Sequence, residues 1–167
     1  MKTIVIGVGN PILSDDGVGI HVAQQVKHCM KNPEVTVEEA PTGGMNLLDL
    51  ILGYDKAIII DAVKTNTGRT GEVKRYRLTD ISTIHSCNPH DVSLTEAITL
   101  AKKLGEEHIP QEIIIIGISL SEMPCEFGEY LSEVITAAVP KAVEMTLVEI
   151  TNGKQVSQGK KQDRMNT

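Results

Sequence analysis

The chain has 167 residues, 41% of them apolar, with a formal net charge of −6, one Phe, three Tyr and no Trp. That length suits one domain with a sizeable core, while the scarcity of aromatic rings argues against a stacking platform for single-stranded nucleic acid and the negative charge against any nucleic-acid or anionic-membrane partner. Cys29, Cys87 and Cys125 make no disulfide framework, no apolar run approaches the roughly 20 residues of a membrane span, and Lys2-Thr3 leads into a strand-like run rather than a signal peptide, so a reducing cytoplasm is the expected compartment.

In chain order, Lys2–Val8 is apolar and β-branched and predicts a buried strand. Gly7 and Gly9 allow a sharp turn at its end, and Asp15-Asp16 then precede a helix over Val18–Met30 with its stripe at Val18, Val22, Val26 and Met30. The glycines do not complete a dinucleotide fingerprint, because the third would fall at position 12, which is Ile12. Val35–Ala40 predicts a second strand, Thr42-Gly43-Gly44 a turn, and Met45–Leu52 a short apolar helix. Ala57–Val63 predicts a third strand buried on both faces. Glu72–Leu78 predicts a fourth whose Lys74, Arg75 and Arg77 suit a sheet edge. The link between these two is too short for a crossover helix, which predicts antiparallel neighbours. Thr79–Asp91 then has the length to return to the opposite sheet edge. A helix over Val92–Glu107, a central strand over Glu112–Ser119 and a helix over Leu131–Ile150, bent or split at Pro140, complete the domain. The expected architecture is a three-layer α/β/α sandwich with a mostly parallel five-stranded sheet and one antiparallel edge strand. It spans residues 1–150 as a single domain, with 151–167 as a loose polar tail.

Three chemistry-bearing residues fall at one edge of this sheet. Asp16 closes the loop after the first strand, Asp61 lies near the end of the third, and His90 precedes a helix in Asn88-Pro89-His90-Asp91. A carboxylate in a strand buried on both faces needs a hydrogen bond, a cation or a metal. A helix N-terminus favours the neutral imidazole, the form that ligates metal. Two carboxylates and one imidazole make an open site for a divalent transition metal. Taken singly, each has a plainer reading: Asp15 or Asp16 as a helix N-cap, Asp61 as a cap for a neighbouring helix, and His90 as a structural histidine.

The run Gly7-Val8-Gly9-Asn10, then Asp15-Asp16-Gly17-Val18-Gly19, Thr42-Gly43-Gly44-Met45, Asp61-Ala62 and Pro89-His90 resembles the nickel-iron hydrogenase maturation endopeptidases, over residues 1–150 or so. The resemblance implies that Asp16, Asp61 and His90 are the metal ligands and the catalytic centre. The first of these is often glutamate in the family. It also implies a partner, the large-subunit precursor of a nickel-iron hydrogenase, and a reaction: endopeptidase removal of the precursor's C-terminal extension once nickel is inserted, with the nickel itself recognised. No serine or cysteine nucleophile is required, and no G-x-S-x-G elbow is present.

Two other readings stay open at this stage: a non-catalytic nickel-binding checkpoint or carrier protein, and a nucleotide-binding α/β domain. The paired acids oppose the latter by repelling a pyrophosphate. Cys87 and His90 form a Cys-x-x-His pair that no second pair completes into a zinc site. Cys29 is expected to be packed on its helix, His21, His28 and His108 to be solvated, and His85 to lie on the surface. Met123–Gly128 follows the fifth strand at the site's edge as a candidate cleft wall.

Overall fold

A computed structural model describes residues 1–41, 45–65, 68–78, 94–122, 124 and 127–162, with backbone alone at 45 and 153–162. Its sheet is built from β1 (Thr3–Val8), β2 (Val35–Ala40), β3 (Lys56–Lys64), β4 (Val73–Arg77) and β5 (Glu112–Leu120), in the order β2-β1-β3-β5-β4. The first four of these positions are parallel, and β4 pairs antiparallel with β5 at the edge.

The antiparallel edge strand matches expectation, but its neighbour does not. Glu72–Leu78 was expected beside Ala57–Val63, and β5 lies between them. Burial explains the insertion. The Glu-Ile-Ile-Ile-Ile-Gly-Ile-Ser-Leu run of β5 is almost wholly buried and gains from a neighbour on each side, whereas β4 carries Lys74, Arg75 and Arg77 into solvent. The short β3–β4 connection therefore arches over the end of β5. Thr65 N donates to Leu120 O at 3.0 Å, Gly71 N to Ser119 O at 2.8 Å, and Ser119 N to Glu72 O at 2.9 Å.

Helices α1 (Val18–Cys29), α2 (Met45–Ile51), α3 (Leu94–Lys103) and α4 (Glu133–Gln162) cover both faces. The strand period of two sorts the core. Val5, Ile58, Ile60, Ile114, Ile116 and Ile118 face α1 and α4, which supply Val18, Val22, Val26, Ile135, Val139 and Ala142. Ile4, Ile6, Ile59 and Ile115 face α2 and α3, which supply Leu47, Leu48, Ile51, Ala97, Ile98 and Ala101. Gly19 lets α1 lie against the sheet, since a Cβ there would strike the carbonyl oxygens of Val8 and Ile60.

Helix α4 departs from expectation in two ways. It runs through Pro140 as one element and continues to Gln162 rather than ending at Ile150. Pro140 is exposed and sits between buried Val139 and Ala142, so packing of the apolar face holds the helix across the missing N–H. No helix among the described residues is long and apolar enough to cross a membrane.

At the amino end of the parallel strands, a buried ion network closes the sandwich. Lys56, only 2% exposed, donates to Glu149 O at 3.0 Å and Glu149 Oε2 at 3.2 Å, and pairs with Glu112 Oε2 at 3.0 Å. Arg75 pairs with Glu149 through its Nε and reaches Glu112 at 3.7 Å. Burial works to raise the Glu149 carboxyl, but the hydrogen bonds from Arg75 and Lys56 hold it below the usual glutamate range.

Candidate functional site

The opposite end of the sheet is built around the loop after β1. Gly9 has φ +141°, and a Cβ there would collide with the Asp16 carbonyl oxygen. Only glycine lets the chain fold back so tightly that Asp16 comes to rest against the end of β1. Asn10 then organises the turn: its Oδ1 accepts from Ile12 N at 3.2 Å, and its carbonyl accepts from Leu13 N at 3.0 Å. Asp16 lies in a 3-10 turn, Ser14–Gly17, and its Oδ2 accepts from Asn10 N at 2.8 Å.

The two adjacent acids have separate positions. The N-cap of α1 is Gly17, with no side-chain cap, so neither aspartate caps that helix. Asp15 Oδ1 instead accepts from Ser132 N at 2.7 Å, and Ser132 Oγ accepts from Ile135 N at 3.4 Å in the first turn of α4. Asp15 is thus a structural tie to a different helix. Asp16 turns inward and is buried.

Asp61 extends the side of β3 that carries Ala57 and Ile59, opposite Gly117 of β5 in the ladder. Its side chain keeps some accessible surface. Burial pushes its carboxyl up to about 8, the charge of Asp16 adds to that, and a backbone hydrogen bond at Ala62 works the other way. The fold therefore brings the two predicted carboxylates within electrostatic reach, with the burden of that proximity falling on Asp61. At neutral pH the protonated form of Asp61 is therefore favoured.

His90 lies outside the described residues, as do His85, Cys87, the Thr42-Gly43-Gly44 turn and the Thr79–Asp91 return. Among the described residues, no group of three or more His, Cys, Asp or Glu is placed to hold a metal ion. His28 and His108 are exposed, the first with its Nδ1 2.7 Å from Gln24 O and the second beside Glu106 at 2.9 Å. His21 is half-buried. Cys29 is exposed rather than packed. The buried stripe of α1 continues to Met30, and Cys29 sits about 100° around the helix from it.

One feature of the site has no local sequence signal. The loop after β1 is clasped to the segment after β5, the candidate cleft wall, of which Pro124, Phe127 and Gly128 are described. Gly128 N donates to Ile12 O at 2.9 Å, Ser14 N donates to Gly128 O at 2.6 Å, and Ser14 Oγ donates to Tyr130 O at 2.9 Å. Ser14 is held at φ +49°, rare for a residue with a side chain. Those hydrogen bonds hold it there, two positions before Asp16.

Comparison with known proteins places the chain in a family. A family model described as hydrogenase maturation protease matches residues 20–149. The chain is 24% identical to the hydrogenase 2 maturation protease of Escherichia coli over 150 residues, covering 88% of this chain and 89% of that one. Its fold is similar to the hydrogenase maturating endopeptidase HybD of E. coli, with a TM-score of 0.77, 21% identity and coverage of 92% and 94%. It is also similar to a hydrogenase 2 maturation peptidase from a Thaumarchaeota archaeon, with a TM-score of 0.63, 27% identity and coverage of 90% and 99%.

Proposed function

This chain belongs to the hydrogenase maturation protease family, and from that premise we propose that it reads the nickel of its substrate through Asp16, Asp61 and His90 before cutting. The family assignment makes it an endopeptidase of hydrogenase maturation and sets aside the nucleotide-binding reading. The finer proposal names the client as the large-subunit precursor of a nickel-iron hydrogenase. It names the reaction as removal of that precursor's C-terminal extension after nickel insertion, in the cytoplasm.

One observation supports the proposal: Asp16 and Asp61 follow two different strands, and the charge of Asp16 adds to the burial that pushes the Asp61 carboxyl up to about 8. Neighbouring carboxylates that repel in this way favour a proton or a cation between them. A divalent ion supplies the missing charge, and carboxylate oxygens with one imidazole nitrogen suit nickel among the transition metals. The nickel is substrate, delivered by the precursor. Its chemistry at the site is Lewis acidity towards the scissile carbonyl or a water. The chain's own residues prepare for it. Asn10 N fixes the orientation of the Asp16 carboxylate, and Asp61 releases its proton to solvent as the ion's charge arrives. No seryl or cysteinyl acyl-enzyme is formed.

The test is a gel shift of nickel-loaded and nickel-free precursor incubated with the purified chain, beside circular dichroism of each variant. Processing of the nickel-loaded form alone is expected, with none by His90→Ala or Asp16→Ala. Full processing by folded His90→Ala overturns the ligand assignment. Processing of nickel-free precursor overturns nickel as the signal. Tight binding of loaded precursor without cleavage supports the non-catalytic checkpoint reading instead.

A further inference from the structure

We propose that Phe127 and Tyr130, with Ile12 beside them, form the docking patch that grips an apolar segment of the precursor polypeptide. The inference rests on the reading of the neighbouring carboxylates as the site that meets this precursor. The chain has one Phe and three Tyr. Tyr54 and Tyr76 pack against the core. Phe127 and Tyr130 stand 83% and 85% exposed, three positions apart, and Ile12 is 49% exposed. A sequence this poor in aromatic rings has left half of them in solvent on one loop.

That loop is braced. The hydrogen bonds of Gly128 to Ile12 and of Ser14 to Gly128 and Tyr130 join the backbones that carry all three side chains. Asp15 adds a further tie to Ser132 at 2.7 Å. Large exposed rings on pre-ordered backbone are what a binding surface needs, since little conformational freedom is lost on contact. Aromatic side chains also dominate interface energetics. The patch is continuous with the acidic pair through Ser14, two residues from Asp16.

Charge selects the occupant. A second copy docked here by a two-fold axis would set one chain of net charge −6 against another. An apolar segment of a partner that delivers a cation to Asp16 and Asp61 meets no such repulsion.

The test compares the full chain with the double variant Phe127→Ser/Tyr130→Ser. Affinity for the nickel-loaded precursor is measured directly by biolayer interferometry, and KM and kcat are taken from processing. Leu104→Ser serves as the control, because Leu104 is 78% exposed just beyond α3, away from the clasp. The double variant should bind at least about tenfold more weakly and raise KM by the same factor, with kcat within about twofold. Leu104→Ser should change neither. Phe127→Tyr/Tyr130→Phe should restore affinity and guards against a folding artefact in the serine variant. Equal precursor affinity in the unmodified chain and the double variant overturns the patch, as does equal weakening by Leu104→Ser. So does sedimentation showing a dimer that only the double variant abolishes, at unchanged KM. Failure of the function reads differently: the unmodified chain then binds precursor through the patch and cleaves nothing.

Discussion

Lys56 and Asp61 lie on the same β-strand, one near each end, and the fold treats them oppositely. At the amino end Lys56 is buried and answered by Glu149 and Glu112 at 3.0 to 3.2 Å, with Arg75 closing the network. Every charge there meets an opposite charge. At the carboxyl end burial pushes the Asp61 carboxyl up to about 8, and the charge of Asp16 adds to that rather than answering it. A charge network that is satisfied holds layers together, whereas a carboxylate kept in unfavourable company waits for a ligand. One end of β3 holds the layers together, and the other is the candidate site. Substitutions at the two ends should therefore separate activity from stability, and the two ends should respond to pH in opposite directions.

The sharpest test is at the functional end. Asp61→Ala should lower processing of nickel-loaded precursor by about a thousandfold or more, the scale for removing a group at the reacting centre, while thermal melts show no loss of stability. Retained processing would erase the distinction between the ends.

Next in size is Lys56→Ala. It strands the buried Glu149, and the exposed Glu112, with Arg75 alone, and should destabilise the fold by about 3–5 kcal/mol in urea titrations. Processing per folded molecule should stay unchanged. A stability loss under about 1 kcal/mol would mean the network contributes as little as a surface pair.

The pH dependence at Asp61 follows from its direction of shift. Its folded value, about 8, lies above the ordinary 3.8, so the folded chain holds a proton that the unfolded chain has released. The resulting stability is fully present below about pH 4 and is lost as pH rises towards 8. Asp61→Asn should therefore gain on the order of 5 kcal/mol over the unmodified protein at pH 8 and almost nothing at pH 4. Melting curves across that range without nickel check this.

Glu149 shifts the other way, so its contribution is present above the ordinary glutamate value of 4.5 and is lost as pH falls through its lowered folded value. Glu149→Gln should shrink the acid-limb loss of stability. Chemical denaturation between pH 3 and 6 reads it. An acid limb unchanged by the substitution would move the source of acid sensitivity away from this network.

Much of the candidate site was legible in sequence. The Gly9 turn, the acids after β1 and the lone carboxylate in the apolar β3 run are local patterns, and each points to the same sheet edge. What separated Asp15 from Asp16 was not legible. Both suit a helix cap by type and position, and only the contact of Asp15 with Ser132, 117 residues away, assigns it to α4. The raised Asp61 carboxyl likewise depends on burial by the surrounding layers, with the charge of Asp16 adding to it.

By itself the sequence determined the elements: β-branched runs set the strands, the 3.6-residue stripes set the helices, and the polar run of β4 marked it as an edge. These follow from side chains a few residues apart, so a short window of sequence contains the cause. Tertiary structure alone decided that β5 enters between β3 and β4, that Ser14 clasps Gly128 and Tyr130, that Lys56 meets Glu149 93 residues away, and that α4 runs on through Pro140. Each is a choice among partners distant in the chain. Such choices are settled by which pairing buries the most apolar surface while answering every buried charge, a condition on the whole sandwich rather than on any one segment.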